Sequence, residues 1–208
     1  GLTALWQPQA AIAEFRNAVV ERTGSPVCHP IGAARAALTV IFLGLKRLAA
    51  RSRVIVPAYT CPTVVQAVLK AGLEPVFCDI SPQTLDLDRG ALSRLIDQGP
   101  DRILAIVPAH LYGLAQDVRD LLAIGRESGI FVVEDAAQAF GALFQGRMVG
   151  TWGAAGVYSL GRGKCIPAGH GGVIGSQERC AAAIAEAMQE TISGQTGQAL
   201  ASLAMFAG

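Results

Sequence analysis

The sequence has little charge of either sign and no long uncharged apolar run. Only 16% of its 208 residues are charged, and the net charge is +1. A balance this even gives no electrostatic attraction to nucleic acid or to an anionic membrane, so neither is an expected partner. No uncharged apolar run reaches the roughly 18 residues that a membrane span needs. Because 51% of the residues are nevertheless hydrophobic, we expect part of the apolar surface to form a subunit interface.

Cysteine is sparse, and its spacing matches neither a metal site nor a redox motif. The five cysteines contain no C-x-x-C pair, which fits a reduced, cytoplasmic setting and predicts no metal. Two phosphate-binding fingerprints are also absent. "GRGKC" (161–165) has Tyr158 and Cys165 where a P-loop needs glycine and a hydroxyl residue, and no G-x-G-x-x-G follows the first predicted strand. A P-loop and a dinucleotide site are therefore not expected.

Short β-branched apolar runs alternate with helical patterns along the chain. Strands are predicted over residues 53–58, 75–80, 103–109, 130–135, 155–159 and 171–176. Helices are predicted between them, one of them over 87–97 with Asp88 as its N-cap. This order predicts an α/β fold of three layers, with a mostly parallel mixed sheet between two layers of helices. Ligands bind at the carboxyl ends of such strands, where Asp135, Ser159 and Lys164 fall.

Lys164 stands in the glycine-rich stretch "SLGRGKCIP" (159–167), directly after a predicted strand. One interpretation is an exposed turn with a solvated ammonium group, which is typical of a lysine among glycine and proline. The other is an amine at the mouth of a sheet that bonds an aldehyde cofactor. The stretch alone leaves both interpretations open.

Two acids, Glu134 and Asp135, end the predicted strand 130–135. The pleat sends successive side chains to opposite faces, so only one of them can enter a given site. A buried carboxylate needs a cation or N–H donors, because an unpaired buried charge is costly. Asp135 therefore either pairs with a cation, such as a protonated pyridine nitrogen, or caps the following turn "AAQAF" (136–140).

Small residues at Gly32, Ala33 and Ala34 lead into an apolar helical pattern that continues to residue 45. The unpaired amides of a first helical turn lie at the positive end of the helix dipole and can hold a phosphate. Most helices that follow small residues bind nothing, so this feature by itself is only compatible with a phosphate site.

Together these features match the needs of pyridoxal phosphate: a phosphate cup at a helix start, a carboxylate at a strand end, and a serine five residues before a lysine. The chain resembles the sugar-nucleotide aminotransferases of the DegT/DnrJ/EryC1/StrS type, within the fold type I enzymes of that cofactor. Four stretches carry the resemblance in the family's order and at its spacing: 54–88, 106–113, 132–164 and 169–176. They correspond to the family's large domain.

The resemblance implies a role for each residue that matches the family's motifs. Lys164 matches the lysine that forms the Schiff base, and Asp135 matches the partner of the pyridinium nitrogen; these are the two expected catalytic residues. Gln138 matches the glutamine beside the ring's phenolic oxygen. Ser159 matches the phosphate-binding serine.

Other matching positions depart from the family. Ala34 and Arg35 occupy the glycine-threonine slot of the phosphate cup, where backbone amides can still bind but the threonine hydroxyl is gone. Cys61 stands where an aromatic side chain commonly stacks on the cofactor ring, so stacking should be weaker. His110 and Tyr112 belong to a segment near the cofactor, and a packed, hydrogen-bonded role for His110 competes with a catalytic one.

The implied activity is transfer of an amino group, usually from glutamate, to a keto sugar of a nucleoside-diphosphate sugar, at a site in a homodimer interface. Family members also carry a smaller C-terminal domain. We therefore divide the chain into an N-terminal segment (1–29), a cofactor-binding large domain (30–191), and a linker loosened by Gly194 and Gly197 that begins a missing C-terminal region (192–208). The alternative function is a non-catalytic cofactor-binding remnant, or a fragment without the small domain.

Overall fold

A seven-stranded mixed sheet forms the centre of the computed structural model, which describes the backbone of residues 8–205 and the side chains of residues 9–194. The strands in chain order are β1 (Val27–Ile31), β2 (Arg53–Pro57), β3 (Glu74–Cys78), β4 (Ile103–Ile106), β5 (Phe131–Asp135), the short hairpin strands β6 (Leu143–Phe144) and β7 (Arg147–Met148), β8 (Ala155–Ser159) and β9 (Gly172–Ser176). Across the large sheet the order is β1-β9-β8-β5-β4-β2-β3. The five strands from β8 to β3 are parallel, whereas β9 is antiparallel to both of its neighbours. The predicted mostly parallel mixed sheet is confirmed.

Helices cover both faces of this sheet. They are α1 (Pro8–Thr23), α2 (Ala34–Leu48), α3 (Pro62–Lys70), α4 (Arg89–Asp97), α5 (Arg119–Ser128) and α6 (Glu178–Met205). The pleat of β2 divides the core: Val54 and Val56 pack with residues of α2, α3 and α6, whereas Ile55 packs with residues of α4 and α5. The predicted three-layer α/β/α architecture is therefore confirmed. Within the described part of the chain, no helix has the length and apolar character needed to cross a membrane.

The N-terminal part contains two elements that the sequence did not predict. Besides α1, β1 adds an edge strand that pairs with β9 from Val27 opposite Ser176 to Ile31 opposite Gly172. Pro30 lies in β1, and an edge strand tolerates proline because one side of its backbone has no ladder partner. β1 thus crosses the predicted domain boundary at residue 30. Residues 1–7 of the predicted N-terminal segment lie outside the described residues.

The backbone of α6 runs through the predicted linker that begins at residue 192. The backbone stays helical to Met205 and passes through Gly194 and Gly197 without a break. An isolated glycine costs a helix only about 1 kcal/mol relative to alanine, so two of them need not end it. Residues 206–208 lie outside the described residues, and the division into domains stays a prediction.

Asp88 caps α4 as the sequence predicted. Its Oδ1 accepts a hydrogen bond of 2.7 Å from the backbone N–H of Ala91, one of the amides that the first helical turn leaves unpaired. We expect Asp88→Ala to lower the free energy of unfolding by about 1 kcal/mol, as measured by urea denaturation. Asp97→Ala, at the exposed opposite end of the same helix, is the control. An equal loss in both variants would contradict the cap.

Candidate active site

The carboxyl ends of β5 and β8 bring together residues that were predicted to be catalytic or to bind the cofactor. β5 ends at Asp135 and β8 at Ser159, and the two strands are direct neighbours, with Asp135 paired to Val157. Lys164 follows β8 in a turn in which its backbone N–H donates to Gly161 O over 3.2 Å. The Asp135, Ser159 and Lys164 side chains are all half-buried. One edge of the sheet therefore carries an amine, a carboxylate and a hydroxyl.

Asp135 caps the turn that follows β5, which is one of the two interpretations that the sequence left open. Its Oδ1 accepts a 3.1 Å hydrogen bond from the Ala137 N–H, which is the turn cap. Burial raises the pKa of the Asp135 carboxyl, while the Ala137 N–H and the charge of Lys164 act in the opposite direction. The turn cap is therefore observed, while the pairing of Asp135 with a cation stays a prediction.

A chain of contacts through Gln138 links four loops at this edge. Gln138 Oε1 accepts a 3.1 Å hydrogen bond from the Tyr112 N–H, and its backbone oxygen accepts one of 3.2 Å from the Cys165 thiol. The Tyr112 hydroxyl lies 2.6 Å from that of Tyr59. Tyr112 has a φ of 56°, a left-handed conformation that is uncommon for residues other than glycine and that its hydrogen bond to Gln138 helps to hold. The loops after β2, β4, β5 and β8 are connected in this way.

The start of α2 lies against the same edge. A Cβ atom on Gly172 would be 2.9 Å from Ala34 N and 2.9 Å from Tyr158 O, so only glycine lets α2, β9 and the end of β8 meet this closely. Ala33 provides no side-chain cap, and the helical hydrogen bonds to Ala33 O begin after Arg35. The amides of Ala34 and Arg35 therefore belong to the unpaired first turn, while the Arg35 side chain is exposed.

Cys61 lies farther along the edge than the other predicted residues. It is exposed at the N-terminal end of α3, and its Sγ lies 3.0 Å from Thr63 Oγ1. Cys61 follows β2, and β4 separates β2 from β5, the strand that ends at Asp135. Its predicted place on the cofactor ring stays a prediction.

Glu134 points to the opposite face from its neighbour in β5, as the pleat requires, and it is fully buried. Its Oε1 accepts hydrogen bonds of 2.7 Å from the N–H groups of both Trp152 and Gly153. Its Oε2 accepts one of 2.8 Å from the Gly150 N–H and lies 3.0 Å from His110 Nε2. A buried carboxylate with four donors is well satisfied.

His110 is a packed, hydrogen-bonded histidine, the first of the two interpretations that the sequence left open. Only 1% of its surface is exposed. The backbone N–H of Gln116 donates to His110 Nδ1 over 3.0 Å, so that nitrogen is unprotonated and Nε2 carries the proton given to Glu134. The sequence did not identify this pair. The only signal was an acid at the end of an otherwise apolar strand.

The sequence matches the family model of the DegT/DnrJ/EryC1/StrS aminotransferases over residues 5–202. The chain belongs to this family. The matched region includes α1 and β1, which the resemblance seen in the sequence alone did not cover.

Two enzymes are similar to this chain in sequence, and one aminotransferase is similar in structure. The L-glutamine:scyllo-inosose aminotransferase of Streptomyces griseus is 37% identical over 161 residues, which are 77% of this chain and 37% of the relative. The GDP-perosamine synthase of Caulobacter vibrioides is 35% identical over 165 residues, 78% of this chain and 43% of that protein. The aminotransferase of Psychrobacter cryohalolentis superposes with a TM-score of 0.76 at 27% identity, over 86% of this chain and 44% of that one. The chain thus spans less than half of the length of each.

Pyridoxal phosphate is the cofactor of this family, and the residues at the sheet edge fit it. Lys164 is half-buried in the turn after β8, and β8 is the direct neighbour of β5, which ends at Asp135. The uncapped first turn of α2 adjoins the end of β8, where Ser159 lies. An amine, a carboxylate, a hydroxyl and an uncapped helix start therefore lie around one edge, as the cofactor would require.

Proposed function

We propose that this protein is a pyridoxal-phosphate-dependent aminotransferase that moves an amino group from an amino acid, usually glutamate, to a keto sugar of a nucleoside-diphosphate sugar. The observation that carries the proposal is geometric: Asp135 and Ser159 end two neighbouring parallel strands at the carboxyl edge of the sheet, and Lys164 lies half-buried in the turn that directly follows the second strand. We also propose that the protein forms a homodimer and acts in the cytoplasm.

Each residue has a distinct task in this function. Bound pyridoxal phosphate supplies an aldehyde and an electron-accepting ring. The Lys164 amine would hold the cofactor through its aldehyde and would carry the proton that leaves and rejoins the reacting molecules. The Asp135 carboxylate stabilises a positive charge on the ring nitrogen.

The remaining predicted residues orient the cofactor. The Ser159 hydroxyl and the amides of Ala34 and Arg35 hold the phosphate at the positive end of α2. Gln138 has its Oε1 engaged by the Tyr112 N–H, so its Nε2 group is the one available to donate to a ring oxygen.

The named relatives support two classes of acceptor. GDP-perosamine synthase is named for a nucleotide-linked sugar, which supports the acceptor proposed here. The Streptomyces griseus relative is named for scyllo-inosose and for L-glutamine as donor, which supports a free cyclic ketone and glutamine as a second pair of substrates. Both acceptors should be offered in the same assay, each with glutamate and with glutamine.

The function is tested by adding pyridoxal phosphate to the purified protein. We expect a visible absorption band that borohydride reduces, with the label on Lys164 in a peptide map, and bleaching of the unreduced band by the amino donor. A band without bleaching would favour the non-catalytic cofactor-binding remnant. The absence of any band would contradict both functions.

A further inference from the structure

The Glu134 carboxylate joins three separate segments of the chain at one buried point. Its donors come from the 150–153 turn that leads into β8 and from His110 in the loop after β4, while Glu134 itself lies in β5. Since a buried unpaired carboxylate is strongly unfavourable, the three segments are held at fixed positions relative to it.

The 150–153 turn is shaped to reach this carboxylate. Gly150 has a φ of +86°, in the region that favours glycine. A Cβ on Gly153 would lie 2.4 Å from Val132 O, so the turn presses directly on the backbone of β5. From the other side, the Tyr158 hydroxyl in β8 donates a 2.7 Å hydrogen bond to Val149 O. The entry to β8 is therefore anchored to β5 through Glu134.

The loop after β4 is anchored through His110. The backbone N–H of His110 donates to Asp135 O over 2.9 Å, while its ring joins Glu134 to the Gln116 N–H. Two residues later, Tyr112 contacts Gln138 in the left-handed conformation described above. A displacement of His110 would thus move two backbone N–H groups, that of His110, which donates to Asp135 O, and that of Tyr112, which donates to Gln138 Oε1.

We propose that Glu134 is a positioning residue for the cofactor site. Through the 150–153 turn it fixes the strand that ends at Ser159, and through His110 it fixes the loop that contacts Asp135 and Gln138. It does not touch the cofactor itself. The inference rests on the proposed function, because it concerns how tightly and in what geometry that site holds pyridoxal phosphate.

Glutamine cannot replace this carboxylate without loss. All four groups around Glu134 are N–H donors, so the NH₂ group of a glutamine must face at least one of them. His110 cannot adapt by moving its proton to Nδ1, since that nitrogen already accepts the Gln116 N–H. An isosteric change therefore leaves buried donors unsatisfied and displaces at least one anchored segment.

The test measures pyridoxal phosphate affinity and the position of its visible band in Glu134→Gln and His110→Ala. We expect each variant to bind the cofactor about tenfold or more weakly and to shift the band, because the site geometry changes. His110→Gln should restore most of the affinity lost in His110→Ala, since an amide can donate to Glu134 and accept from the Gln116 N–H. Glu127→Gln, an exposed site on α5, is the matched control.

Denaturation of the same variants separates positioning from simple stability. If Glu134→Gln and His110→Ala lower stability but keep the wild-type affinity and band, Glu134 is only structural and the inference is overturned. If Glu134→Gln does not fold, the His110→Ala and His110→Gln pair decides by the same criteria. A wild-type protein without a band removes the proposed function and this inference together, whereas a wild-type band with unchanged variants removes only the inference.

Discussion

Lys164→Arg is expected to reduce amino transfer by at least about a thousandfold and to eliminate the visible cofactor band. Arginine keeps the positive charge, but its guanidinium stays protonated, so it neither bonds an aldehyde nor carries a proton between atoms. Transfer is measured as formation of the keto acid from the amino donor, and the band by absorption after addition of pyridoxal phosphate.

The chain offers a clean control for this substitution. It contains two other lysines, Lys46 and Lys70, and Lys70 is exposed at the end of α3. Lys70→Arg should keep both the band and the transfer rate. The denaturation midpoint of Lys164→Arg should stay close to that of the wild type, because Lys164 lies in a half-exposed turn. A transfer rate within tenfold of wild type would contradict the role proposed for Lys164.

The central strands could be predicted because a buried strand consists of a short run of apolar residues that is visible in the sequence. The run 155–159 is mostly small or apolar, with Val157 and Tyr158 at its centre, and it forms β8 with those bounds. β1 could not be predicted in this way, since Pro30 and His29 interrupt the apolar pattern and an edge strand depends on pairing with β9, far away in the chain. The continuity of α6 was not predicted, because Gly194 and Gly197 were interpreted as loosening the chain into a linker, whereas an isolated glycine need not interrupt a helix.

The site residues show the same distinction between features that local sequence determines and features that depend on tertiary contacts. Asp135 and Ser159 were placed correctly at one edge because parallel strands end together, and Lys164 follows one of them directly. The partners of Glu134 could not be predicted, since they are backbone amides of a turn and a histidine ring that only the tertiary fold brings to it. Backbone donors leave no signal in residue type.

Asp135→Asn separates the charge of this carboxylate from its hydrogen bond. Asparagine can still accept the Ala137 N–H through Oδ1, but it cannot balance a positive charge on the ring nitrogen. We therefore expect amino transfer to fall by about a hundredfold or more. Without the cofactor, the same substitution should increase the free energy of unfolding. Burial raises the pKa of the Asp135 carboxyl, so its ionised form destabilises the folded state.

The stability difference between Asp135→Asn and wild type should depend on pH. The folded state binds the Asp135 proton more tightly than the unfolded chain does, so wild-type stability falls as the pH rises from the usual carboxyl pKa of about 4 through the raised value. Asp135→Asn removes this loss, and the variant should be more stable than wild type at neutral pH but not near pH 4. Urea denaturation at several pH values between these limits measures the difference, with the exposed Asp97→Asn as control. If the variant is less stable than wild type at neutral pH, the hydrogen bonds of the carboxylate outweigh its desolvation. If its amino-transfer rate is unchanged, Asp135 is not a catalytic residue.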